Sequence, residues 1–402
     1  MNTTPQSQRT HIAFFGRRNV GKSSLVNAFT GRQLSIVSEV KGTTTDPVST
    51  AMELLPLGPV MIIDTPGLDD EGELGLQRVK RTRQVLQTAD IALVVTDATE
   101  PLTREERQLI ALLEQMGVPH LLVRNKADLL PAIPEDGLYT SAATGYGIHR
   151  LKETVAALTP QDTERPPVRD LLHPGDTVVL VVPIDKAAPK GRLILPQQQV
   201  IRDILEAGAQ ALVCRDTELE QTLTCLAAPP ALVITDSQVF GKVNALVPPQ
   251  VPLTSFSVLM ARCKGNLPLL AEGASAVDSL RTGDPVLIAE GCTHHRQCED
   301  IGTVKLPNWI RSRLGCEPAF TFVSGKDFPE DLSPYRLVIH CGGCMLTRRQ
   351  MMTRLHRCAE QGIPVTNYGI LIARLHGILD RALSPLEGRY EILPRMGVSA
   401  KR

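Results

Sequence analysis

The chain has 402 residues, with 43 basic and 43 acidic side chains and only 3% aromatic residues. This balance excludes both the electrostatic footprint and the stacking platforms of a dedicated nucleic-acid binder, so no nucleic-acid partner is expected. Hydrophobic residues at 43% are enough for real cores, and at roughly 100–200 residues per domain the length predicts three domains.

The polar start Met1 to Thr10 has no apolar signal segment and no run of about 18 apolar residues occurs, so the expectation is a cytoplasmic protein with no membrane span. Nine cysteines, five of them between Cys292 and Cys344, point in that compartment to metal binding and away from a disulfide framework.

From His11 to about Pro160, short apolar runs (Ile12–Phe15, Val60–Ile63, Ile91–Val95, His120–Val123) alternate with helical stretches such as Ser24–Thr30 and Arg104–Met116. That pattern predicts a mostly parallel sheet covered by helices, over residues 1–165. Directly after the first run, Gly16-Arg17-Arg18-Asn19-Val20-Gly21-Lys22-Ser23 matches G-x-x-x-x-G-K-[ST]. Its glycines let backbone N–H groups turn toward phosphates, Lys22 reaches the β- and γ-phosphates, and the Ser23 hydroxyl can ligate Mg2+. Gly21 and Ser24 complete the phosphate-binding set with Asn19.

Asp64-Thr65-Pro66-Gly67 follows the second run, placing Asp64 near the magnesium and the Gly67 amide near the γ-phosphate. Between these motifs lies Gly42-Thr43-Thr44-Thr45-Asp46, a polar loop suited to a switch, in which Thr44 is the favoured metal ligand. Asn125-Lys126-Ala127-Asp128 follows the fourth run. The Asp128 carboxylate can accept from the N1 and N2 donors of guanine together, which adenine does not offer. Ser141-Ala142-Ala143 supplies a loop whose backbone amide can meet guanine O6. Four motifs in this order specify GTP.

These residues resemble the TrmE–Era–EngA branch of translation-factor-related GTPases. In that branch a hydrophobic residue follows Asp-Thr-Pro-Gly, here Leu68, which implies slow intrinsic hydrolysis. Members with asparagine in the phosphate loop use a bound potassium ion, and Asn19 stands at that position, so K+ is an expected cofactor.

Pro160, Pro166 and Pro167 among charges read as a linker at Thr159–Val168. A small α/β unit is expected over 174–250. It opens on the apolar strand Val178–Ile184 and continues through helical Gln198–Ala207, strand Ala211–Cys214, helical Leu219–Ala227 and strand Ala231–Thr235. It carries no catalytic constellation, which fits a structural or dimerisation module and predicts a homodimer. Over 251–402 the pattern gives helical Asn266–Asp278, strands Pro285–Ala289, Ala319–Val323 and Arg336–His340, and helix Thr347–Gln361. Cysteines follow strand ends, where ligands gather in open α/β sheets.

Cys292-Thr293-His294 and, after 45 intervening residues, His340-Cys341-Gly342-Gly343-Cys344 form a second constellation. On residue types alone three readings stand: structural zinc in a Cys3His site, a 4Fe-4S cluster, or a redox dithiol or plain buried cysteines. A matching rival for the whole chain is a tRNA-modification or ribosome-assembly GTPase carrying structural zinc.

The joint pattern of a TrmE-like GTPase, a middle unit, Cys-x-His and His-Cys-x-x-Cys resembles the HydF family, the maturation GTPases of FeFe-hydrogenase. The resemblance covers nearly the whole chain and implies an α/β iron–sulfur cluster domain after the dimerisation domain. It implies Cys292, Cys341 and Cys344 as ligands of a 4Fe-4S cluster, with His294 and His340 as candidate further ligands and His295, Cys298 and Cys316 outside the motif. It also implies a diiron cargo received transiently from radical-SAM maturases and delivered to the apo FeFe-hydrogenase.

Overall fold

Strand β1 (Thr10–Gly16) is buried on both faces: Ile12 and Phe14 join one apolar cluster and Ala13 and Phe15 another. Such a strand needs cover above and below, and the first unit of the structure supplies it. The structure, a computed structural model, describes residues 5–31, 48–66, 85–158, 165–184, 193–291, 300–325 and 327–388. It divides into two units, Met1–Thr163 and Glu164–Arg402.

In the first unit, β1 is followed by α1 (Lys22–Thr30), β2 (Val48–Leu54), β3 (Gly58–Asp64), β4 (Ile91–Asp97), α2 (Arg104–Gln115), β5 (His120–Asn125), β6 (Leu138–Tyr139) and α3 (Ile148–Ala157). The sheet order is β2-β3-β1-β4-β5-β6, parallel except for β2, which runs antiparallel to β3. Helix α2 begins on a reciprocal capping box between Thr103 and Glu106, which satisfies two otherwise unpaired N–H groups.

The second unit contains two four-stranded parallel sheets. The first runs through β7 (Thr177–Val181), α4 (Leu195–Glu206), β8 (Gln210–Cys214), α5 (Leu219–Cys225), β9 (Leu232–Thr235), α6 (Phe240–Leu246), β10 (Leu253–Ser255) and α7 (Phe256–Lys264). Helix α8 (Leu267–Ala274) leads to β11 (Pro285–Ala289), α9 (Leu306–Leu314), β12 (Ala319–Val323), β13 (Leu337–His340), α10 (Arg348–Glu360), β14 (Val365–Asn367), α11 (Tyr368–Leu375) and α12 (Leu379–Leu383). The strands expected at 285–289 and 319–323 lie at those residues. The strand expected to reach Ile184 ends at Val181, and Ile184 is exposed. β10 and α7 complete the first sheet and its cover, so residues 253–264 belong structurally with it. One apolar cluster, from Val168 to Leu386, runs through both sheets.

The two sheets repeat one topology. In order they read β8-β7-β9-β10 and β12-β11-β13-β14, each with its first strand second in the row. The backbone bonds correspond one by one: Gly175 N–H to Gly208 and Gly283 N–H to Glu317, Gln210 to Asp176 and Ala319 to Asp284, Val233 to Pro252 and Val338 to Pro364, and Asp236 to Val181 and Cys341 to Ala289. Pro252-Leu253-Thr254-Ser255-Phe256 through Ala261-Arg262 pairs with Pro364-Val365-Thr366-Asn367-Tyr368 through Ala373-Arg374. Ser255 and Asn367 each cap the helix that follows, as residues with a short oxygen-bearing side chain do at N-termini.

Candidate nucleotide and cysteine sites

The phosphate loop leaves β1 where nothing larger than glycine fits. At Gly16 a Cβ would lie 2.5 Å from the Val95 carbonyl oxygen, and at Gly21, with φ +80°, 2.4 Å from Asn125 Nδ2. Asn19 also sits in the left-handed region at φ 61°, which asparagine tolerates better than most residues. The Lys22 ammonium pairs with Asp64, and the Ser23 hydroxyl donates to the other Asp64 oxygen at 2.7 Å. Lys22 and Asp64 are both buried. The strand ends of β1 and β3 thus bring together the lysine, the hydroxyl and the carboxylate that a magnesium–phosphate site uses.

Asn125 ties this loop to the base-reading loop. Its Nδ2 donates to the Val20 carbonyl at 2.8 Å, and its Oδ1 accepts from the Ala142 amide at 3.2 Å and the Thr140 hydroxyl at 3.4 Å. The Ser141 amide donates to the Tyr146 carbonyl at 3.0 Å. Asp128 is exposed. Thr44, Gly67 and Leu68 lie outside the described residues.

Asp97, which the motifs did not single out, ends β4 and accepts from Lys126 at 2.7 Å. Burial pushes its carboxyl up, but the hydrogen bonds from Lys126 and Thr99 outweigh burial and leave it below the usual carboxylate range. The signal was present in the sequence, because Asp97 closes an apolar strand at the same sheet edge as Asp64. Arg17, inside the phosphate loop, donates to Glu106 at 3.1 Å and Glu100 at 2.7 Å.

In the second unit, Cys341 follows β13 directly and its amide donates to the Ala289 carbonyl of β11. Two amides aim at its sulfur, Gly291 N–H at 3.0 Å and Gly343 N–H at 3.4 Å. Gly343 has φ +64°, a conformation glycine adopts without the Cβ penalty. In the metal-free chain burial pushes the Cys341 thiol up to about 11, the two amides pulling it back only in part. Among the described residues no three His, Cys, Asp or Glu side chains group as metal ligands. Cys292, His294, His295 and Cys298 lie outside the described residues.

His340 is buried with both ring nitrogens engaged. Nε2 accepts from Arg354 at 2.8 Å and Nδ1 donates to the Cys341 carbonyl at 2.9 Å, an assignment that follows from guanidinium being able only to donate. Burial first, then the Arg354 charge, holds the ring neutral with its pKa down to about 3. As arranged, His340 supports the turn and has no lone pair free for a metal.

The turn has a second support that no local pattern signalled. Lys264, buried at the end of α7, directs its ammonium to the carbonyls of Gly343 at 3.4 Å, Cys344 at 3.1 Å and Leu346 at 3.0 Å. Burying an ammonium costs several kcal/mol, and hydrogen bonds to a charged group return about 1.5–3 kcal/mol each, so the clamp comes close to break-even as a stabilising device. Below the turn, Tyr368 donates to the buried Glu290 at 3.4 Å. Gly302 lies against this pair, where a Cβ would meet the Tyr368 hydroxyl at 2.2 Å.

Residues 167–265 match the family model of the hydrogen maturase F dimerization domain, and residues 268–385 that of the hydrogen maturase F tetramerization domain. The chain belongs to the HydF family. The HydF models meet between α7 and α8 and so divide the second unit into its two repeated halves. Residues 11–126 match a model described as 50S ribosome-binding GTPase, and the first unit is a P-loop GTPase domain that binds GTP and magnesium. The chain is 37% identical over 166 residues to the tRNA modification GTPase MnmE of Synechococcus sp., covering 39% of this chain and 35% of that protein. It is 33% identical over 189 residues to GTPase Der of Nitratidesulfovibrio vulgaris, covering 42% and 38%. The matched region therefore spans little more than a third of the length of these relatives. Among solved structures, Era in complex with MgGDPNP and a 16S ribosomal RNA segment aligns at 21% identity over 51% of this chain and 93% of that chain, with a TM-score of 0.34. At that score the likeness adds nothing to the strand order. No helix among the described residues is long and apolar enough to cross a membrane.

Proposed function

We propose that the chain is a GTP-driven scaffold of FeFe-hydrogenase maturation, holding a 4Fe-4S cluster on Cys292, Cys341 and Cys344. The observation that carries this reading is the pair of amides converging on the Cys341 sulfur at the carboxyl edge of a parallel sheet, in a chain of the HydF family. Amide-to-sulfur hydrogen bonds of this kind accompany thiolate ligation, so the donor set fits the group. When bound, such a cluster supplies an iron without a cysteine, open to an exchangeable ligand. Cys341 and Cys344 would hold it from the turn, with Cys292 as the third thiolate. With both His340 nitrogens engaged, His294 is the histidine left to approach the open iron. A diiron precursor would be the cargo, received from radical-SAM maturases and passed to the apo-hydrogenase by a homodimer in the cytoplasm.

In the GTPase domain, Lys22 neutralises phosphate charge, Ser23 and Thr44 ligate magnesium, Asp64 orients that ion, the Gly67 amide meets the γ-phosphate, and Asp128 selects guanine. Asn19, left-handed and exposed, stands where a potassium ion would be held against the phosphates. The test is anaerobic activation of apo-hydrogenase by the chain after exposure to the radical-SAM partners. Activation that requires GTP, is faster in potassium than in sodium at matched ionic strength, and disappears in Lys22→Ala supports the reading. Zinc in place of iron, with retained RNA, favours a tRNA-modification or ribosome-assembly role instead.

A further inference from the structure

The cysteine turn is approached by cations from two separate helices. From α7, Lys264 donates to three carbonyls at and beyond the turn. Arg348 of α10 returns the contact, donating to the Cys263 carbonyl at 3.1 Å and the Gly265 carbonyl at 3.4 Å, so the end of α7 and the start of α10 are pinned to each other. From α10, Arg354 donates to His340 Nε2 and to the Gly325 carbonyl, and its guanidinium lies over the Phe328 ring with 5.0 Å to the centroid. Among the described residues Arg354 has no carboxylate partner. A half-buried guanidinium whose donors go to neutral acceptors keeps its positive charge beside the turn.

We infer that Lys264 and Arg354 form a cationic brace that fixes the Cys341–Cys344 turn and sets positive charge beside any cluster held there. The inference rests on the cluster reading for its ligand. Both are positioning residues, Lys264 acting through the turn carbonyls and Arg354 through His340. The brace also links the two repeated halves, because Lys264 belongs to the last helix of the first and grips a turn of the second.

Two readouts test it, one without metal. In the full chain reconstituted anaerobically with iron and sulfide, Arg354→Met should lower the midpoint potential, since losing a positive charge disfavours the added electron. The expected change is about tenfold in the one-electron equilibrium, or about 59 mV. In the metal-free chain the same variant should speed amide hydrogen exchange at residues 341–346 severalfold, because the turn loses a donor that fixes it, directly or through His340. Arg354→Lys should restore most of both. Lys264→Met carries the same expectations, and either variant suffices if the other fails to fold by circular dichroism. A folded Arg354→Met or Lys264→Met variant with unchanged exchange at the turn overturns the brace, and so does an unchanged potential in a cluster-loaded variant. If the wild-type chain takes up no iron and sulfide, the cluster reading fails, while hydrogen exchange still decides the brace.

Discussion

Asp236 and Cys341 occupy the same place in the two halves of the second unit. Each follows the third strand of its half and donates its amide to the last residue of the central strand, Val181 or Ala289. In the first half Asp236 is a helix cap, accepting from the Gln238 amide at 3.0 Å, with Ser237 bonded to Ser255 and Ser257. In the second half the same corner presents a thiol that receives two amides. One frame thus carries a structural corner in one copy and a candidate metal corner in the other. Only the loop chemistry differs, so function is to be read from the site and not from the fold.

The largest effect that could break this comparison is the loss of a thiol. Replacing Cys292, Cys341 or Cys344 singly by Ala should abolish or severely deplete bound iron and sulfide, since two thiolates cannot hold a four-iron cube against solvent. Asp236→Ala, the matching change in the first half, should leave iron content unchanged and cost only about 1 kcal/mol of stability, the usual value of a lost cap. Colorimetric iron and sulfide assays with thermal denaturation check both. If Asp236→Ala strips the iron, the two corners are not independent.

Next in size is a change in the GTPase domain. Lys22→Ala should reduce GTP hydrolysis by about 10²-fold or more, as losing a group that neutralises transition-state charge does, with iron content intact. Phosphate release and iron assays on one preparation would separate the two sites.

Smaller effects concern glycines. Gly343→Ala meets a left-handed φ of +64° and the Met351 side chain at 2.2 Å. The expected outcome is partial loss of iron together with a stability loss of about 1–2 kcal/mol or slightly more. Gly175 and Gly283 share φ near +90°, at 89° and 87°, and neither has a neighbour that an added Cβ would strike. Alanine at either should therefore cost the same, about 1–2 kcal/mol, without touching iron content. Unequal losses by chemical denaturation would argue against the repeat.

What was legible in the sequence followed from local rules. Continuous apolar runs marked β1, β3, β4, β5 and β11, and the phosphate-loop, Asp-Thr-Pro-Gly and Asn-Lys-x-Asp motifs lay at strand ends as chain order requires. Strand β6 is only two residues long, too short for a period, and β2 is an edge strand with mixed burial. Helix α7 escaped notice because Phe256, Val258, Leu259, Met260, Ala261, Arg262 and Lys264 are all buried, which removes the amphipathic stripe that normally marks a helix. The repeat is diluted to a few matched positions per strand. Lys264 and Arg354 were beyond local reading, since their partners at the turn lie 79 and 14 residues away and no spacing rule joins an α7 lysine to a loop after β13.

The central claim is that the second of two like corners holds an iron–sulfur cluster. Anaerobic reconstitution of the full chain, followed by iron and sulfide analysis and electron paramagnetic resonance of the dithionite-reduced sample, tests it most directly. The account predicts about four irons and four sulfides per chain and a reduced-cluster signal that Cys341→Ala eliminates and Asp236→Ala preserves. A colourless chain that holds zinc, or a signal that survives Cys341→Ala unchanged, would contradict it.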